Sequence, residues 1–233
     1  MKQKVSGLIA LLLLVTVISF AQKGPEPALF LKGGLNLSNI TIDKSGNLNN
    51  NRILTSFQVG FQGDLPIGRF FSIQPGLMFT GKGSKLESGN TSGNNWYRST
   101  FRPYYIEIPV NAVVKLPLGG QSSFFFGAGP YLGIGIAGKN RVEGKVSGLS
   151  FSRSSNIKFS NDNPFTSTEE GSGYNIVRRF DYGLNGTAGI ETKYVIISAN
   201  YGLGLAKIQS GTNSSADELG KYRVWSFALG FRL

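Results

Sequence analysis

The chain contains no cysteine and no histidine, and its 233 residues include only 13 acidic side chains. Without cysteine there is no disulfide framework, no thiolate zinc site and no cysteine nucleophile. A lipid anchor on an N-terminal cysteine is excluded for the same reason. An oxidising compartment permits disulfides without requiring them, so this absence does not locate the protein. Without histidine, a Ser-His-Asp triad, a His-ligated metal and imidazole acid–base work are all excluded within this chain. A carboxylate pair could still move protons, but no spacing among the acidic residues proposes one. An enzyme is therefore not expected, and neither is a cofactor or a metal.

Long apolar runs are also missing, with one exception at the start. Lys2 and Lys4 precede an apolar run over 8–18, and Ser19-Phe20-Ala21 forms a small-x-small cleavage site. This is the pattern of a secretory signal peptide over 1–21, with Gln22 as the first mature residue. The run is short for a membrane-spanning helix, which takes about 20 apolar residues. Cleavage takes two of the 24 basic residues, leaving 22 against 13 acidic ones, a mature charge of +9. Such a balance suits anionic lipid headgroups. No nucleic-acid motif is present, and nucleic acid is not an expected partner.

What is present is alternation. Over 53–65 the sequence ILTSFQVGFQGDL changes polarity at every step, with Phe57, Val59 and Phe61 on one side and Gln58, Gly60 and Gln62 on the other. A period of two marks a strand, because successive side chains point to opposite faces. The pattern recurs over 29–40, 70–81, 104–116, 124–137, 180–191, 194–206 and 222–233, eight stretches in all. No mature segment keeps a helical period, so the chain is all-β, with 22–233 as one domain.

The connections are of two kinds. Pro66-Ile67-Gly68, Gly119-Gly120-Gln121 and Thr192-Lys193 read as tight hairpins, whereas 41–52, 82–103, 138–179 and 207–221 are longer and polar. Short turns at one rim and long loops at the other characterise outer-membrane barrels. The expected architecture is an eight-stranded antiparallel up-and-down transmembrane β-barrel with short periplasmic turns and long extracellular loops. Strands of about 9–11 residues suffice to cross a bilayer at a tilt. The alternating apolar side then faces lipid, and aromatics such as Phe71, Phe79, Tyr104, Phe124, Tyr182, Tyr201 and Trp225 would form interfacial girdles. The alternative is a soluble lipocalin-like barrel with its apolar side turned inward around a ligand. The polar side here is mostly Gly, Ser, Asn and Gln, which suits a narrow lumen better than a wet surface.

An eight-stranded barrel is just wide enough for its own side chains to fill. A polar lumen network is expected from Lys32, Asp64, Glu107, Lys115, Asp181, Glu191 and Arg232, because a charge in so dry a place needs a partner. Lys32 and Glu107, both near mid-strand, are expected to pair. The 138–179 connection holds seven basic against four acidic residues. Its basic patch, Arg141, Lys145, Arg153, Lys158, Arg178 and Arg179, is a candidate for contacting lipopolysaccharide or a surface partner, since loops on a rigid scaffold often carry binding.

Several phrases, LKGGLNLSNI, FSIQPGLMFTGKG, YYIEIPVNAVVK, FFFGAGPYLGIGIAGK and DYGLNGTAGIE, resemble in content and order the PorT-like family of small outer-membrane β-barrel proteins. The match runs over 31–233 and is strongest at Ile106-Glu107-Ile108-Pro109 and Gly127-Ala128-Gly129-Pro130. One departure is the terminal Phe231-Arg232-Leu233, which ends on leucine where such barrels commonly end on an aromatic residue. The resemblance implies export to the bacterial outer membrane, insertion by the barrel-assembly machinery and no catalytic residues. Some relatives are tied to protein secretion and gliding. The expected function is a structural or interaction role in the envelope, exerted through extracellular loops. It would be accessory to secretion if a secretion or surface protein is the partner. A narrow channel for small solutes is the second reading. A monomer is expected, and peptidoglycan anchoring by an added domain is not.

Overall fold

The computed structural model describes residues 26–41, 51–160, 176–208 and 220–233. The signal peptide expected over 1–21 lies outside the described residues, as do 42–50, 161–175 and 209–219. Among the described residues thirteen strands follow one another: β1 (Ala28–Thr41), β2 (Asn51–Arg52), β3 (Leu54–Pro66), β4 (Phe71–Gly81), β5 (Ser84–Gly89), β6 (Trp96–Gly119), β7 (Ser122–Val146), β8 (Leu149–Asn156), β9 (Lys158–Phe159), β10 (Ile176–Val177), β11 (Phe180–Glu191), β12 (Val195–Gly204) and β13 (Lys221–Arg232). Eight of them close a ring of antiparallel pairs, β1–β3–β4–β6–β7–β11–β12–β13 and back to β1. Closure leaves the ring itself no unpaired strand edge, which hydrocarbon would not tolerate.

The alternation sorts the side chains as the lipid-facing reading expects. Leu35, Phe57, Phe71, Leu77, Ile197 and Phe227 stand exposed on the outside, whereas Lys32, Asn36, Gln62, Asp64, Gln74 and Ser198 are buried in the lumen. A lipocalin-like arrangement would show the reverse. Two belts of rings follow from this sorting. Phe57, Phe79 and Tyr104 meet on one flank, with Phe79 and Tyr104 stacked at 5.3 Å between centroids. Tyr201, Trp225 and Phe227 meet on another.

Three turns are short. Ile67 N donates to Phe71 O across the β3–β4 turn, and Thr192 N donates to Val195 O across β11–β12. At β6–β7 the two-residue turn is Gly120-Gln121, and the positive φ of Gly120 (60°) and of Gly119 at the end of β6 (101°) is met by glycine. These turns lie with Ala28 and Arg232 at one rim, the periplasmic one by the rule of short turns.

Two connections differ from expectation. The 82–103 and 138–179 segments carry extended β structure, because β6 and β7 run 24 and 25 residues, well past the barrel wall. Beyond the rim they are flanked by β5 and β8, giving a ribbon ordered β5–β6–β7–β8. From Trp96 to Arg102 all residues but exposed Tyr97 are half-buried, so the segment shows no clean alternation, and the sequence pattern there is that of a loop.

Candidate functional site

The lumen is stacked in layers. Toward the extracellular mouth, Lys82 sits just past β4 with only 4% of its side chain exposed. Its Nζ lies 2.5 Å from Glu107 Oε2 on β6 and 2.7 Å from Asp181 Oδ2 on β11. The same ammonium stands 4.2 Å from the Tyr131 ring centroid, and the Tyr131 hydroxyl donates to Asp181 Oδ2 at 3.3 Å. Above it, the hydroxyls of Tyr105 and Tyr222 meet at 3.2 Å.

An apolar cap closes this end. Ile157, Val177 and Ile208 pack on Tyr105, Tyr222 and Val224, with Phe159 at the side of the cluster. The short parallel pair β9–β10 holds Phe159 and Val177 in place. Phe159 seats on Gly135, where any Cβ would overlap its ring. Gly135→Val should therefore push Phe159 out of the mouth, raising hydrogen exchange at residues 157–160 while the β1–β3 amides stay protected.

At the periplasmic end Lys115 Nζ lies 2.6 Å from both Asp64 Oδ2 and Glu191 Oε2, and Gln74 Nε2 donates to Asp64 Oδ1. Ala28, Phe30, Val113, Phe125 and Ile196 form a second apolar cluster in this half. Arg232 is at the rim on the lumen-facing side of β13, where it donates to Pro27 O at 3.4 Å and acts electrostatically on Glu191.

Between the two ion clusters lies a cavity of about 50 Å³ lined by Lys32, Gln58, Gln62, Thr80, Glu107, Asn111 and Ser226, among others. At ~10–15 Å³ per water it holds a few waters. Lys32 and Glu107 both border it but do not pair. Lys32 Nζ donates to Gln62 Oε1 at 2.6 Å, and Glu107 is taken by Lys82. The expected pair fails because Lys82 continues the lumen-facing rhythm of Gln74, Met78 and Thr80 for one more step. Among the described residues Lys32 has no carboxylate partner. Lys32→Met should thus be nearly neutral, within about 1 kcal/mol in urea unfolding, since an unpaired buried ammonium adds little and water can meet Gln62.

The candidate loop cations are spread over several elements. Arg141 and Lys145 are on β7, Arg153 is on β8 and Lys158 on β9. Arg178 follows β10, its backbone N donating to Ile208 O, and Arg179 donates to Phe159 O. On the ribbon, Glu87 of β5 accepts from Arg98 Nε at 2.7 Å and pairs with Lys85 and Arg52. Hydrogen bonds from Lys85, then Arg98, hold its carboxyl below the ordinary value of 4.5. A depressed folded value means stability present at neutral pH and lost as pH falls through that value. Hydrogen exchange at β5 should rise as the pH drops below about 4.5, and Glu87→Gln should abolish that dependence.

Lys82, Tyr105, Tyr131 and Tyr222 carry the upper lumen but were not singled out from the sequence. The signal for Lys82 was parity along β4, masked by the flanking Gly81 and Gly83.

A closed eight-stranded ring, greasy outside and ion-paired within, defines a transmembrane β-barrel of the outer-membrane kind. The chain belongs to the family described as "Outer membrane protein beta-barrel domain", which matches residues 20–210. Its place is therefore the outer membrane. Similar solved structures include Ail, the attachment invasion locus protein of Yersinia pestis, at 14% identity and TM-score 0.40, covering 89% of this chain and 99% of that one. Neisserial surface protein A aligns at 10% identity and TM-score 0.40, covering 89% and 98%. OprG from Pseudomonas aeruginosa aligns at 11% and 0.40, covering 89% and 95%. A search of curated proteins gave no match.

Proposed function

We propose that this chain is a closed, non-conducting barrel whose role in the envelope is interaction, exerted by the β5–β8 ribbon outside the membrane. The observation that carries this reading is the filled lumen. Among the described residues two ion clusters and two apolar clusters fill the lumen around a cavity of about 50 Å³. An ion would have to break buried pairs to cross, and such pairs are costly to open. In this reading the chain performs no catalytic step.

The PorT-like motifs add a finer reading, an accessory role in protein secretion, in which a secreted or surface protein would meet the same ribbon. Planar-bilayer recording on the purified chain tests the main reading. Silent membranes are expected, whereas regular conductance steps would favour a narrow channel. A deletion strain that secretes its full set of proteins would remove the secretion role.

A further inference from the structure

The ribbon carries a cationic groove on the side continuous with the lipid-facing wall. The phase of that face is set by one extra residue. Tyr104 pairs with Ala137 but Tyr105 pairs with Gly135, so Ile136 is a bulge in β7. A bulge shifts the alternation by one step. Below it the even residues of β7 point outward; above it the odd ones do. Lys139 and Arg141, which would otherwise point toward the barrel axis, therefore join Arg102 and Thr100 of β6 on the outer face. Phe101, on the alternate side, packs against the lumen cap.

The groove has a volume of about 1120 Å³, and its lower wall is Tyr104, Ile136 and Ala137. Tyr104 belongs to the aromatic belt with Phe57 and Phe79. Within one step of that belt, Arg102 and Lys139 sit directly opposite each other across the β6–β7 pair. Like charges in that position repel. Neither has an ion-pair partner among the described residues, and the Arg102 Nε is buried without any hydrogen-bond partner. Arg141, paired with Glu143, and Lys85 and Arg98, both paired with Glu87, also line the groove, so its uncompensated charge is that of Arg102 and Lys139. A guanidinium beside an ammonium matches a phosphate, which takes paired N–H donors.

We infer that this groove binds the phosphorylated headgroup of an anionic glycolipid in the outer leaflet, with the acyl chains lying along Tyr104 and the apolar wall beneath it. The inference rests on the ribbon being the interacting part of the protein. It commits to a membrane lipid because the groove opens onto the lipid-facing wall at the level of the aromatic belt.

The test uses the full mature chain in nanodiscs of zwitterionic phosphatidylcholine carrying a small share of diphosphoryl lipid A or of its dephosphorylated form. Bound lipid is counted by native mass spectrometry. The wild type should retain the phosphorylated form preferentially, and less so at high salt. Each near-surface cation is worth roughly a fivefold factor, so Arg102→Gln with Lys139→Gln should lower retention about thirtyfold. Arg153→Gln, on the other ribbon face, should leave it unchanged. If the double variant does not fold, Lys139→Gln alone should still lower retention about fivefold. Equal retention of both lipid forms, an equal loss in Arg153→Gln, or full displacement by inorganic phosphate would each overturn the proposal. A silent bilayer with no lipid preference would overturn this inference alone and leave the closed-barrel reading intact.

Discussion

Lys82→Met should destabilise the barrel by about 3–5 kcal/mol, the range for removing one partner of a buried ion pair. Three elements converge on its ammonium: Glu107 from β6, Asp181 from β11 and the Tyr131 ring from β7. Methionine keeps most of the volume but leaves two carboxylates facing each other in a dry site, with no cation between them. The loss should appear as a lower urea midpoint in detergent micelles. Neutralising the stranded groups as well, in Lys82→Met/Glu107→Gln/Asp181→Asn, should recover most of it, because the cost arises from the stranded charge and not from missing packing. A single variant as stable as the wild type would show that the ion cluster does not hold the upper barrel together.

Val59→Arg should be the second large effect, about 2–4 kcal/mol for a cation on the lipid face near the bilayer midplane. Val59 is exposed on β3, opposite Gly33 and Phe79, with hydrocarbon as its solvent. Its neighbour Gln58 points the other way, into the cavity shared with Lys32. Gln58→Glu should cost less than about 1 kcal/mol, since the new carboxylate meets a buried ammonium that has no anion of its own among the described residues. The contrast between adjacent residues separates a two-faced wall from general intolerance of charge at mid-strand. Folding yield in zwitterionic vesicles, with unfolding in urea, measures both.

The barrel was legible in the sequence wherever one face met lipid. Along 180–191 the alternation of Phe180, Tyr182 and Leu184 with Asp181, Gly183 and Asn185 marked β11 to its ends. The pattern failed where the solvent changed. Past Pro103 and Gly138 most residues of β6 are half-buried with no lipid face to match, so the amphipathic rhythm disappears while the hydrogen bonds continue. The lumen was legible in membership and not in pairing. Lys115, Asp64 and Glu191 face the axis from three strands, and Lys115 joins the other two. Which cation meets Glu107 depended on the stagger of β4 against β6, which places Lys82 and not Lys32 beside it. The basic face of the ribbon was hidden for a third reason. A one-residue bulge at Ile136 decides which way Lys139 and Arg141 point, and no feature of alternation announces it.

The absence of cysteine makes site-directed spin labelling direct, because every introduced thiol is unique. Single cysteines at 56, 57, 58, 59, 61 and 62, labelled and reconstituted in bilayers, report collision with oxygen, which concentrates in acyl chains. Labels at 57, 59 and 61 should be strongly oxygen-accessible and those at 56, 58 and 62 shielded. High oxygen accessibility at the even positions with shielding at the odd ones would contradict a barrel whose apolar wall faces lipid.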